Sequence, residues 1–127
     1  MGVRLIVLDV QRPAVTVLSA FMRRHGPCVE ITHHGNIDLR FDQSLAFLAE
    51  LGIAGEIVPT PGHSDDSVTL VLDDGAAFTG DLTPPGLAPE ASRAAVDLSW
   101  RRLRQLGVTW LYPGHGPARP VPDPDQP

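Results

Sequence analysis

Residues 57–82, IVPTPGHSDDSVTLVLDDGAAFTGDL, constrain the fold of this chain more than any other stretch. Val68, Thr69, Leu70, Val71 and Leu72 form one β-rich run, and Ala76, Ala77, Phe78 and Thr79 form another. Asp73-Asp74-Gly75 between them is a turn signal, so the stretch predicts an antiparallel hairpin. Side chains alternate along a strand. Val68, Leu70 and Leu72, together with Ile57, are expected to face a core, and Thr69, Val71 and Asp73 the other side. Glu56-Ile57-Val58 predicts a preceding strand that delivers the loop Thr60-Pro61-Gly62-His63-Ser64. Because the hairpin returns the chain, Asp81 in Thr79-Gly80-Asp81 is expected to lie near the strand end where Ser67 begins, and so near His63.

A third stretch has the same grammar. Thr109-Trp110-Leu111-Tyr112 predicts a short strand, followed by Pro113-Gly114-His115-Gly116. Taken singly, a histidine in a Pro/Gly loop is more often a solvated loop residue, and Gly-Asp more often a turn. Three such residues at strand ends are a stronger pattern, because a rigid scaffold fixes loops of this kind. Two imidazoles and a carboxylate suit zinc, or iron where the geometry leaves open positions. His63, Asp81 and His115 are therefore expected to converge as metal ligands.

In this order, TPGHS, FTGD and YPGHG resemble the third, fourth and fifth motifs of the metallo-β-lactamase superfamily. The resemblance covers the chain from Val3 to His115. It implies an α/β fold, an αββα sandwich in which two sheets pack face to face between outer helices and each half of the chain contributes one sheet. It also implies a metal-dependent hydrolase, with a metal-activated water attacking an ester, thioester, lactam or phosphodiester of a small-molecule substrate. Under the resemblance His63 binds one metal, Asp81 bridges two and serves catalysis, and His115 binds the second. Zinc, one or two ions, is the implied cofactor, with iron as the alternative.

The superfamily's second motif, H-x-H-x-D-H, has no match. Thr32-His33-His34-Gly35-Asn36-Ile37-Asp38 has adjacent histidines and none after Asp38, so it reads as a polar loop. The resemblance thus implies the C-terminal portion of the sandwich with an incomplete first sheet, and Met1 as a late start. Residues 1–116 form a partial metallo-β-lactamase-like domain, and 117–127 form a Pro/Asp-rich tail expected to be disordered. With the upstream ligands missing, each metal keeps two protein ligands. These are too few for a stable dinuclear zinc site, so weak or absent metal binding and doubtful activity are expected. The alternative is a non-catalytic remnant or interaction module that keeps part of the fold. A small α/β binding domain whose PGHS loop holds an anion ranks last, because no Gly-rich phosphate fingerprint is present.

The other segments read as follows. The apolar run from Val3 to Val10 predicts a strand buried on both faces in a parallel sheet. Pro13 suits a first helical turn, and the helix to Arg24 carries Val17, Leu18, Phe21 and Met22 on one side. Residues 26–40 read as an irregular link with a short strand over 29–31. Asp42 is the expected N-cap of a helix to Leu51 that turns Leu45, Leu48 and Leu51 inward. One of Asp65 and Asp66 either orients the His63 ring or simply serves the turn. The proline-rich residues 82–89 end the sheet and, in a hydrolase, border the substrate. A helix over 90–106 is expected to place Ala95, Val96, Leu98 and Leu103 near its buried side.

Composition excludes several function classes. With 43% hydrophobic residues, the chain is globular rather than disordered. A net charge of −5 argues against a nucleic-acid groove, because phosphate binding draws on clustered cations. No apolar run approaches the ~20 residues that span a bilayer, and the run from Leu5 to Val10 is too short for a signal peptide. Cys28, the single cysteine, rules out an internal disulfide and is expected to be structural, which fits a cytoplasmic protein. A half-sandwich leaves a sheet face uncovered, so self-association through that face is expected.

Overall fold

The structure is a computed structural model that describes residues 4–27 and 35–123. The elements run β1 (Ile6–Leu8), a 3-10 turn (Asp9–Gln11), α1 (Arg12–His25), β2 (Ile37–Leu39), α2 (Phe41–Glu50), β3 (Gly55–Pro59), β4 (Val68–Leu72), β5 (Ala76–Gly80), α3 (Glu90–Gln105), β6 (Trp110–Pro113) and β7 (Arg119–Pro120). The readings placed on Cys28, on a strand over 29–31 and on His33 and His34 lie outside the described residues.

The hairpin forms as its alternation and turn chemistry require. Leu70 pairs with Phe78 and Val71 with Ala77. The turn is closed by Gly75 N–H donating to the Leu72 carbonyl at 3.0 Å and by Ala76 N–H donating to Asp74 Oδ1 at 3.0 Å. Around it a five-stranded sheet assembles in the order β3-β4-β5-β6-β7, and β5 and β6 are parallel across α3. Such a parallel pair needs a long crossover, which α3 provides.

Two cores flank this sheet. On one face Val58, Val71, Ala77 and Leu111 pack against Val96, Trp100 and Leu103 of α3. On the other, Ile57, Val68 and Leu70 pack against Leu8 of β1, Leu39 of β2 and Leu48 of α2. Leu70 and Ile57 thus face a core as expected, although Thr69 and Val71 on the opposite side are the more deeply buried. Strands β1 and β2 form a separate two-stranded parallel sheet, with Ile6 opposite Ile37. The parallel pairing matches the expectation for the first strand, but the strand spans only Ile6–Leu8, with Leu5 and Val10 exposed and a 3-10 turn from Asp9. β2 lies in what the sequence reads as a link, because three residues carry too little pattern to register.

Several helix readings are corrected. α2 begins at Phe41 with Arg40 as its cap residue, and Asp42 sits in the first turn. The Arg40 N–H donates to Gln43 Oε1, and its guanidinium pairs with Asp42, which lowers the Asp42 carboxyl below its ordinary range. Only Leu48 of the three expected leucines is buried; Leu45 and Leu51 are exposed, because the inward stripe runs through Ser44 and Leu48. On α3, Leu98 is exposed while Ser99 and Trp100 are buried. The apolar side of α1 (Val17, Leu18, Phe21, Met22) is exposed to solvent.

Part of the segment 117–127 read as a disordered tail is corrected, while residues 124–127 lie outside the described residues. Arg119 pairs with Leu111 and Pro120 with Trp110 as a short edge strand. Val121 N–H donates to the Thr109 carbonyl, and Val121 packs on the α3-side core. An apolar valine beyond two prolines is what draws this segment back onto the sheet.

Candidate metal centre

Each predicted ligand sits at the end of a strand that specific contacts hold in place. The His63 loop leaves β3 through Thr60, whose N–H donates to the Ser67 carbonyl at 2.9 Å and whose buried hydroxyl bonds that of Thr69 at 2.8 Å. Ser64 and Ser67 close the loop, hydroxyl to hydroxyl, at 2.8 Å. Helix α3 fastens it from behind: Ser99 Oγ donates to the Pro61 carbonyl at 2.7 Å. Gly62 has a φ of +153°, and a Cβ there would lie 2.5 Å from Val96 Cγ2. Glycine is required at that position by both backbone and space.

Asp81 and His115 come from adjacent parallel strands. Gly114 N–H donates to the Gly80 carbonyl at 2.7 Å, tying the two strand ends together. A Cβ on Gly114 would lie 2.8 Å from Asp81 Oδ1, so the missing side chain makes room for the carboxylate. Asp81 Oδ1 lies 3.5 Å from His115 Nε2. The two side chains are 47% and 90% exposed, so the pair is open to solvent.

His63, Asp81 and His115 line one cleft of about 410 Å³. Gly80, Leu82, Pro84, Pro113 and Arg119 complete its wall. Leu82 and Pro84 belong to the proline-rich loop, which Trp100 anchors by donating from Nε1 to the Thr83 carbonyl at 2.8 Å. The structure therefore brings the three residues to one cleft and places Asp81 beside His115. It does not pack His63 against that pair: among the described residues, no three His, Cys, Asp or Glu side chains are gathered closely enough to enclose an ion. Among the described residues, neither Asp65 nor Asp66 hydrogen-bonds the His63 ring. The donor types, a carboxylate and imidazoles on one cleft, fit a divalent cation, and Asp81 and His115 would hold it first. Ser99, Val96 and Trp100 were not legible as supports of the site, since nothing in a helical sequence marks which residue reaches a distant loop. Arg119 was missed because it lay in the segment read as a tail.

The fold is the metallo-β-lactamase fold, of which the chain carries part. It aligns with a metallo-β-lactamase family protein of Thermus thermophilus at a TM-score of 0.60 and 21% identity, covering 94% of this chain and 49% of that one. It aligns with TTHA1623, solved in a di-iron-bound form, at a TM-score of 0.66 and 21% identity, covering 94% and 60%. The BLEG-1 B3 metallo-β-lactamase gives 0.65 at 18% identity, with the same coverage of 94% and 60%. In sequence, the chain is 33% identical over 72 residues to the β-lactamase-like protein 2 homolog of Caenorhabditis elegans, a match spanning 52% of this chain and 23% of that relative. No sequence-family profile matches the chain. The chain thus spans about half of the solved structures and under a quarter of the curated relative. Among the described residues, no helix is long and apolar enough to cross a membrane.

Proposed function

We propose that the chain carries the second half of a metal-dependent hydrolase site of the metallo-β-lactamase superfamily, acting on a small molecule with an ester, thioester, lactam or phosphodiester bond. The observation that carries this reading is the Asp81 carboxylate set 3.5 Å from His115 Nε2 in a cleft shared with His63. Asp81 and His115, carried by two parallel strand ends, would hold the ion, and His63 lines the same cleft from the loop fastened to α3. A zinc or iron ion bound there supplies hydroxide near neutral pH. The loop carrying Leu82 and Pro84 walls the substrate side, and its anchor to Trp100 fixes that wall. Zinc is the first choice from the donor set, and the di-iron form of TTHA1623 supports iron as the alternative. A net charge of −5 favours a small substrate over nucleic acid, and a single cysteine suits a reducing, cytoplasmic setting.

The second reading is a non-catalytic remnant that keeps part of the fold. It is favoured by the absence of any three-donor cluster among the described residues. Metal titration of the full chain separates the two. The hydrolase reading expects saturable zinc or iron(II) binding at clearly less than two ions per chain. It also expects Asp81→Asn to weaken that binding about tenfold or more, the scale of a lost charge-assisted contact. Hydrolysis of chromogenic lactam, thioester and phosphodiester probes should be slow and metal-dependent. Metal binding that is absent, or indifferent to Asp81→Asn and His115→Ala, leaves the remnant reading standing.

A further inference from the structure

Among the described residues, Arg24, Arg93, Arg101 and Arg119 show no side-chain hydrogen bond or ion pair, and of these four Arg119 alone lines the cleft of the candidate site, whereas five other arginines are occupied. Arg12 pairs with Asp38 and Arg40 with Asp42. Arg4, Arg102 and Arg104 donate to the carbonyls of Gly35, Pro59 and Pro122. Arg119 has no side-chain hydrogen bond or ion pair among the described residues, yet it lines the cleft that holds His63, Asp81 and His115. Its backbone is fixed by pairing with Leu111 at the start of β7, so the side chain springs from the sheet rather than from a loose end. Asp81, which lines the same cleft, is set against His115, and among the described residues it forms no ion pair with Arg119. The cleft therefore keeps an unspent cation in a chain whose net charge is −5.

We propose that Arg119 makes this cleft an oxyanion-recognition site, and that the small molecule bound there carries a carboxylate or phosphate group which the guanidinium holds beside the Asp81–His115 pair. Arginine presents planar, paired N–H donors that match carboxylate and phosphate oxygens two at a time. A cleft of about 410 Å³ is of the size that holds a small organic anion. As a statement about the substrate, the assignment rests on the hydrolase reading above; as a statement about anion binding, it stands on Arg119 alone.

The test is an amide chemical-shift titration of the full chain in the presence of a chelator, with inorganic phosphate and acetate as separate probes at constant ionic strength. Saturable shifts at residues 80–82 and 113–119 are expected with at least one probe, and the probe that binds tells a tetrahedral from a planar anion. Arg119→Gln should weaken that binding about tenfold or more, as expected for a lost charge-assisted contact, whereas Arg101→Gln on the exposed side of α3 should leave it unchanged. Arg119→Lys, which keeps the charge and loses the fork, serves if the glutamine variant fails to fold; weaker binding than wild type is expected. Shifts that never saturate, that scatter over the surface, or that persist in the Arg119 variants overturn the proposal. Zinc titration of the same proteins keeps the two ideas apart. Arg119→Gln should retain the wild-type metal response, and anion binding without any metal binding would end the hydrolase reading while leaving this site in place.

Discussion

At Gly62, one hydrogen atom in place of a methyl decides whether the His63 loop can lie against α3. The contact with Val96 Cγ2 and the φ of +153° both act against any side chain. Gly62→Ala is expected to cost ~1–3 kcal/mol, the usual range for forcing a methyl into a filled space. If the Val96 contact is the larger part, Gly62→Ala combined with Val96→Ala should lose less stability than the two singly, with a coupling of about 0.5 kcal/mol or more. Thermal unfolding of the three variants measures this, and strict additivity would assign the whole effect to the backbone. At this scale the sequence was informative where residues bear chemistry. His63, Asp81 and His115 stood out because each follows a β-rich run and adjoins glycine, and the structure places all three on one cleft. The partners that shape them were not legible, since Val96 and Ser99 look like ordinary helix residues until α3 is laid on the loop.

Elements show the same division. The β4–β5 hairpin could be read nearly to the residue, because alternation and an Asp-Asp-Gly turn specify register locally. The facing of α2 could not, because leucines at 45, 48 and 51 suggest one stripe while the sheet chooses another. That choice is made at the edge of β3. Ile57 N–H donates to Ser44 Oγ at 3.1 Å, and Ser44 Oγ is in turn 3.3 Å from the Ile57 carbonyl. A few residues on, Arg102 donates to the Pro59 carbonyl at 3.1 Å, and Pro59 itself has no N–H to offer. The open edge of the sheet is thus closed by side chains and a proline, which blocks strand addition there. Ser44→Ala is expected to destabilise by ~1–3 kcal/mol, the cost of a buried polar group left without a partner. Hydrogen exchange at the Ile57 amide should speed up more than at its neighbours in β3. Unchanged protection of that amide would mean that the edge is held by packing alone.

For the whole molecule, the decisive feature is how far the second layer reaches across the sheet. Leu70, Phe78 and Tyr112 lie side by side in register on one face, with Trp110 two residues before Tyr112 on the same side. Strands β1 and β2 and helix α2 cover the part of this face that belongs to β3 and β4. They leave Phe78, Trp110 and Tyr112 at 45%, 43% and 42% exposed, with the Phe78 and Tyr112 rings stacked at 4.9 Å. The apolar side of α1 is likewise uncovered. Exposed apolar patches mark surfaces that associate. We therefore expect the isolated chain to sediment above its monomer mass of 13.6 kDa, in a concentration-dependent way. Substituting Phe78→Thr and Tyr112→Thr removes the stacked pair while keeping residues that suit a strand, and it should return the chain toward monomer. If the wild type instead runs as a compact monomer with a sharp two-state transition, the aromatic face is stable in water. If it self-associates but the double variant does so equally, the contact lies elsewhere, and the exposed side of α1 becomes the surface to substitute next.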